Sequence, residues 1–162
     1  MKKIAILSII TTIALGSLFA VAIGEQNTKF SYKFKKHFKD CDSYEETITS
    51  EYENQKFTTQ RKIMGWRNGI CRYEEIITSP KDQYKLTCRL TSIQVDALYD
   101  AMKSHSRKAE KDELEIFAQK KDKSGELRYE VMGTQTIKGN KAYIAWAKIQ
   151  NNPYFCTPQK LK

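Results

Sequence analysis

The chain has 162 residues, 40% of them hydrophobic and 11% aromatic, with only three prolines. That excludes a disordered or low-complexity chain, and once an N-terminal targeting segment is set aside the length suits one domain with its own core. A formal charge of +9 biases encounters toward anionic surfaces such as phospholipid, envelope polymers or nucleic acid, without itself defining a function.

Residues 1–22 read as a signal peptide. Lys2 and Lys3 give a positive start, no charge follows until Glu25, and the apolar run Ile4–Ile23 is interrupted by Gly16. Ala20 and Ala22 have the small-residue spacing that signal peptidase reads, so cleavage is expected after Ala22. The alternative is an uncleaved N-terminal anchor, because a run of this length spans a bilayer. The expected destination is periplasmic or secreted. Residues 23–162 form the remaining small domain, with no Pro- or Ser-rich linker and no repeat. Without Lys2 and Lys3 the charge falls from +9 to +7.

Residues 29–39 predict a basic amphipathic helix. Phe30, Phe34, Phe38 and His37 share one face, while Lys29, Lys33, Lys36 and Lys39 lie off it. The stripe is short for a helix that lies in a membrane surface, so packing onto the domain is preferred. Residues 43–90 read as four strands in a meander, the first about Tyr44–Glu51. Asn68-Gly69 has the positive-φ chemistry of a type I′ turn, which sets Trp66 opposite Cys71 and Met64 opposite Tyr73. A four-residue loop at Thr78–Lys81 then sets Cys71 opposite Cys88 and Tyr73 opposite Leu86, with Trp66, Met64, Cys71, Tyr73, Leu86 and Cys88 on one face. Thr91 and Gln94 have capping-box spacing ahead of a helix with Val95, Leu98, Ala101 and Met102 as its apolar stripe, laid across the sheet. Ser104–Asp112 reads as a charged loop. Leu114–Lys121 fits helix or strand, Leu127–Val131 a strand, and Asn140–Gln150 a helix stopped by Asn151, Asn152 and Pro153. The expected class is α+β: an antiparallel β-meander of about four strands, packed by one or more helices and tied by two disulfides.

The four cysteines are Cys41, Cys71, Cys88 and Cys156. An even number beyond an export signal reads as disulfides, and the spacing lacks the close pairs of a zinc site. The strand register favours Cys71 with Cys88, which leaves Cys41 with Cys156. Cys41 also lies near the Asn68-Gly69 end of the sheet, so its pairing with Cys71 or Cys88 stays open.

The segments Cys41-x-x-Tyr44, Ile63-Met64-Gly65-Trp66-Arg67-Asn68-Gly69-Ile70-Cys71-Arg72-Tyr73-Glu74, Tyr84-x-Leu86-x-Cys88, Gln94-x-x-x-Leu98 and a late Cys156 form a pattern. It resembles a family of small exported bacterial proteins with a Gly-x-x-x-Gly-x-Cys-x-Tyr hairpin, over roughly residues 38–102 and the last cysteine. The resemblance implies export and the cysteine framework and implies no activity. The charged stretch 104–139 departs from it.

Catalytic groups are scarce. His37 sits among phenylalanines as a packed side chain, and His105, between Ser104 and Ser106, lacks a third group to orient it. Glu45-Glu46 and Glu74-Glu75 are adjacent pairs on strands, so one member of each faces water. Glu75 would lie on the apolar face opposite Tyr84, at an edge where its carboxylate reaches solvent. No glycine loop for phosphates, zinc helix, serine elbow or Cys-x-x-Cys occurs, so no catalytic residue is assigned and neither metal nor cofactor is expected. Lys33, Lys36 and Arg72 are candidates for a basic-aromatic binding surface, without a specific nucleic-acid motif. These readings favour an exported, non-catalytic binding or interaction module whose partner is an anionic envelope surface or a secreted protein. The alternatives are an inhibitor of an extracellular enzyme and a small envelope hydrolase using Glu75 or His105.

Overall fold

Ser31 opens the first helix: its hydroxyl accepts the Phe34 N–H at 2.9 Å, leaving α1 to run over Tyr32–Asp40. The helix closes at Cys41, which takes a left-handed conformation with φ 50°, and the N–H of Asp42 returns to the carbonyl of His37 at 2.8 Å. This computed structural model describes residues 30–52, 54–104 and 108–162. The expected signal peptide, residues 1–22, and His105 lie outside the described residues.

Strands β1 (Tyr44–Tyr52), β2 (Gln55–Arg67), β3 (Ile70–Thr78) and β4 (Gln83–Leu90) form the meander. Helix α2 (Ser92–Lys103) follows, with Gln94 Oε1 accepting the Thr91 N–H at 2.8 Å in the expected capping box. Then come β5 (Glu110–Lys121), β6 (Leu127–Gly139), α3 (Lys141–Asn151) and β7 (Cys156–Lys160). The tail thus adds a fifth strand, and the order is β1-β2-β3-β4-β7 with every neighbouring pair antiparallel. The β5–β6 hairpin is a separate two-stranded sheet. The fold is α+β, tied by two disulfides.

Asn68 and Gly69 have φ of 52° and 74°, which is the expected turn, and Trp66 stands opposite Cys71. Two expected registers are corrected. Gly65, at φ +90°, bulges from β2, so Ile63 and not Met64 pairs with Tyr73. Ile63 is buried and Met64 is 43% exposed, whereas Trp66 stays on the face of Cys71 at the end of the sheet, also 43% exposed. The second correction lies in the β3–β4 loop, which is Ser79–Asp82, one residue later than expected. Ser79 fixes it, because its hydroxyl accepts the N–H of Asp82 at 2.9 Å and its N–H donates to the Asp82 carbonyl at 2.8 Å. Moving a four-residue loop by one residue slides the register by two. Cys71 therefore pairs with Leu90, Tyr73 with Cys88 and Glu75 with Leu86. A slip of two keeps each side chain on its face, and Cys71, Tyr73, Leu86 and Cys88 are all buried.

The slip also changes the disulfides. Cys88 stands opposite Cys156 on β7, with Cα atoms 4.1 Å apart, and the two are bonded. Cys41, at the C-terminal cap of α1, joins Cys71 with Cα atoms 5.9 Å apart. The 71–88 and 41–156 pattern is thereby replaced. Cys71 and Cys88 are not opposed, and β7 brings the tail to β4 instead of to α1.

The core lies between the sheet and its helices. Phe34 and Phe38 of α1, Tyr73 of β3 and Trp146 of α3 pack ring to ring, with Tyr73 and Trp146 centroids 5.1 Å apart. Val95, Leu98 and Met102 of α2 complete it. Helix α3 turns a second side to the hairpin, where Tyr143, Ile144 and Ala147 bury against Leu114 and Ile137.

Candidate functional site

Two groups of polar side chains stand out, one buried and one exposed. The buried one centres on Arg61, only 5% exposed, on the core face of β2. Its neighbours in the register are Glu46 on β1 and Glu75 on β3. Arg61 Nη1 lies 3.5 Å from Glu46 Oε1, and Arg61 Nε lies 3.5 Å from Glu75 Oε1. The guanidinium also covers the Phe30 ring at 4.5 Å. Ser31 donates to Glu46 at 2.5 Å, Tyr73 to Glu75 at 3.3 Å and Gln150 to Glu75 at 2.5 Å. The network thus joins α1, β1, β2, β3 and α3.

Glu75 was expected to reach water, and that expectation is corrected: it is 4% exposed. Burial raises its carboxyl above the ordinary glutamate value, and Arg61 and then the Tyr73 hydroxyl pull it part of the way back. Burial, followed by the Glu75 charge, raises the Tyr73 phenol well above its usual range. Both Glu75 oxygens are engaged, Oε1 facing Arg61 and Oε2 accepting from Tyr73 and Gln150. A carboxylate so enclosed offers no free oxygen to a substrate. Arg61 itself escaped the sequence reading, because a cation on a strand looks solvated until its neighbours are in register.

His37 stacks on Tyr44 with ring centroids 4.7 Å apart, so it is a packed side chain. Glu45 and Glu74 are surface partners, 3.8 Å from Lys62 and 2.8 Å from Lys85. A cleft of about 470 Å³ lies away from all of these, between α3 and β5. Leu114, Phe117, Ile149 and Phe155 give it an apolar lining, and Lys148 and Asp112 pair beside it at 2.6 Å.

The exposed group is on α1. With Phe34 and Phe38 fully buried, the other side of the helix presents Lys33, Lys36 and Lys39 to solvent, beside Tyr32 at 78% exposure. Among the described residues, none of these three lysines has a carboxylate partner. At the C-terminal end of the helix the Trp66 indole donates to the Asp40 carbonyl at 2.8 Å. That bond holds a half-exposed indole beside the basic face. Arg72 lies elsewhere. Its neighbours Cys71 and Tyr73 are buried on the helix side, so Arg72 points to the opposite face of the sheet. The structure therefore groups Lys33 with Lys36 and separates Arg72 from both.

Comparison with protein-family models, with curated proteins and with solved structures matches none of them to this chain. Among the described residues no helix is long and apolar enough to cross a membrane, and no cluster of His, Cys, Asp and Glu is arranged to hold a metal ion. Two disulfides with no free cysteine point to an oxidising, exported compartment.

Proposed function

We propose that the protein is an exported, non-catalytic binding module that docks on an anionic phospholipid surface through the lysine face of α1. Export rests on the basic start, the apolar run and the Ala20-x-Ala22 site, with cleavage after Ala22 into the periplasm or the medium. The two disulfides and the resemblance to small exported bacterial proteins support it.

The observation that carries the docking reading is the placement of charge. Residues 29–39 hold five lysines and no acid, against a net +7 for residues 23–162. The aromatic stripe of the same helix is spent on the core. Attraction is therefore electrostatic, with no apolar face left to insert. Each lysine held near an anionic surface contributes ~1 kcal/mol.

The test is co-sedimentation with vesicles of phosphatidylglycerol and phosphatidylcholine at low salt. The K33Q/K36Q/K39Q variant is expected to bind ~100-fold more weakly, from three such contributions. Binding should also fall as salt screens the surface. Equal binding by the variant, or no binding by the unaltered protein, would overturn the reading.

A further inference from the structure

Arg72 on β3 and Arg89 on β4 are directly opposed. Each sits between two buried residues, Cys71 and Tyr73 for one, Cys88 and Leu90 for the other. Strand alternation therefore sends both side chains to the face of the sheet away from the helices. Opposed residues on one face have Cβ atoms ~4.5–5.5 Å apart, where like charges repel.

Two lysines on this face are neutralised by ion pairs. Lys62 is paired with Glu45 and Lys85 with Glu74. Glu74 is two residues from Arg72 on the same strand face, and Lys85 engages it at 2.8 Å. Among the described residues, no ion pair forms at either arginine. On the far side of Arg72 the register partner is Gly65, which brings no side chain over the pair.

We propose that Arg72 and Arg89 form a seat for a phosphate group on the outer face of the sheet. Two guanidiniums present planar forks of N–H donors that match the oxygens of a tetrahedral oxyanion, and a bound dianion turns their mutual repulsion into attraction. The seat lies on the opposite face from α1, so it stands or falls separately from the docking reading above. The phosphate arrives free in solution or on a lipid headgroup, and two arms of one experiment separate these sources.

In the first arm, the Nε–H signals of Arg72 and Arg89 are followed by NMR as inorganic phosphate is added, against sodium chloride at matched ionic strength. Saturable shifts with phosphate and not with chloride are expected. R72Q and R89Q should each weaken binding at least tenfold, and R89K should also weaken it, because lysine keeps the charge and loses the fork. In the second arm, vesicles of phosphatidic acid in phosphatidylcholine are offered to K33Q/K36Q/K39Q with and without R72Q/R89Q. Loss of residual binding on adding the arginine substitutions assigns the phosphate to a headgroup. Phosphate shifts without that loss assign it to a soluble phosphate. Non-saturating shifts of equal size with phosphate and chloride, or unchanged phosphate affinity in a folded R72Q/R89Q protein, would overturn the seat.

Discussion

Arg61 faces two carboxylates, Glu46 and Glu75, so this buried group carries one more acid than base when all three are ionised. The raised Glu75 carboxyl gives this a sign. Above the ordinary glutamate value of 4.5 the unfolded chain has lost its proton while the folded protein still holds it. Stability therefore falls as pH rises through the interval between 4.5 and the raised folded value, and the deficit persists above it. Glu75→Gln keeps an acceptor for Tyr73 and Gln150 and removes the charge. Urea midpoints measured from pH 4 to pH 8 should show this pH-dependent loss in the unaltered protein and a flatter profile in the variant. An unchanged slope would mean that Glu75 is not the group responsible. Removing Arg61 instead strands two buried carboxylates and should cost about 3–5 kcal/mol, seen in the same unfolding measurement.

At the scale of elements, the turns and caps decided what was legible. Asn68-Gly69 and the Thr91–Gln94 box are local chemistry, and both form as read from the sequence. The alternation of β4 is local too, and its buried face is Leu86, Cys88 and Leu90. The disulfide pairing was not local. It depended on which residue of a four-residue loop came first, and Ser79 settles that through bonds to Asp82 that no composition rule contains. The bulge at Gly65 displaced Met64 from the core in the same way, one residue altering a whole register. The buried position of Glu75 was illegible because it needs Arg61 from one neighbouring strand and Gln150 from a helix 75 residues away. Each disulfide should stabilise separately. Chain-entropy arguments give about 4 kcal/mol apiece, slightly more for the 68-residue separation of Cys88–Cys156 than for the 30 residues of Cys41–Cys71. Paired serine variants compared by urea unfolding check the order, and non-reducing peptide mapping should recover 41–71 and 88–156.

Across the whole molecule, charge and covalent ties are distributed unevenly. The five-stranded sheet carries both disulfides, whereas the β5–β6 hairpin carries none and is held by Leu114, Ile137 and the contacts of α3. Two-stranded sheets are marginal alone. Beyond Leu114 the hairpin leaves Leu127 and Val131 half exposed and Met132 69% exposed, and its turn at Asp122–Glu126 is held by short-range bonds to the Asp122 carboxylate.

The Cys88–Cys156 bond reaches across this turn in the chain. Any backbone cut between residues 89 and 155 divides the protein into two pieces that remain one molecule, because each piece owns one of the two sulfurs. Limited trypsin treatment at exposed Lys123 should therefore yield a single band on a non-reducing gel and two after dithiothreitol. Separation without reductant would mean that Cys156 is unbonded. A single proteolytic cut in the hairpin thus opens a loop and releases no fragment.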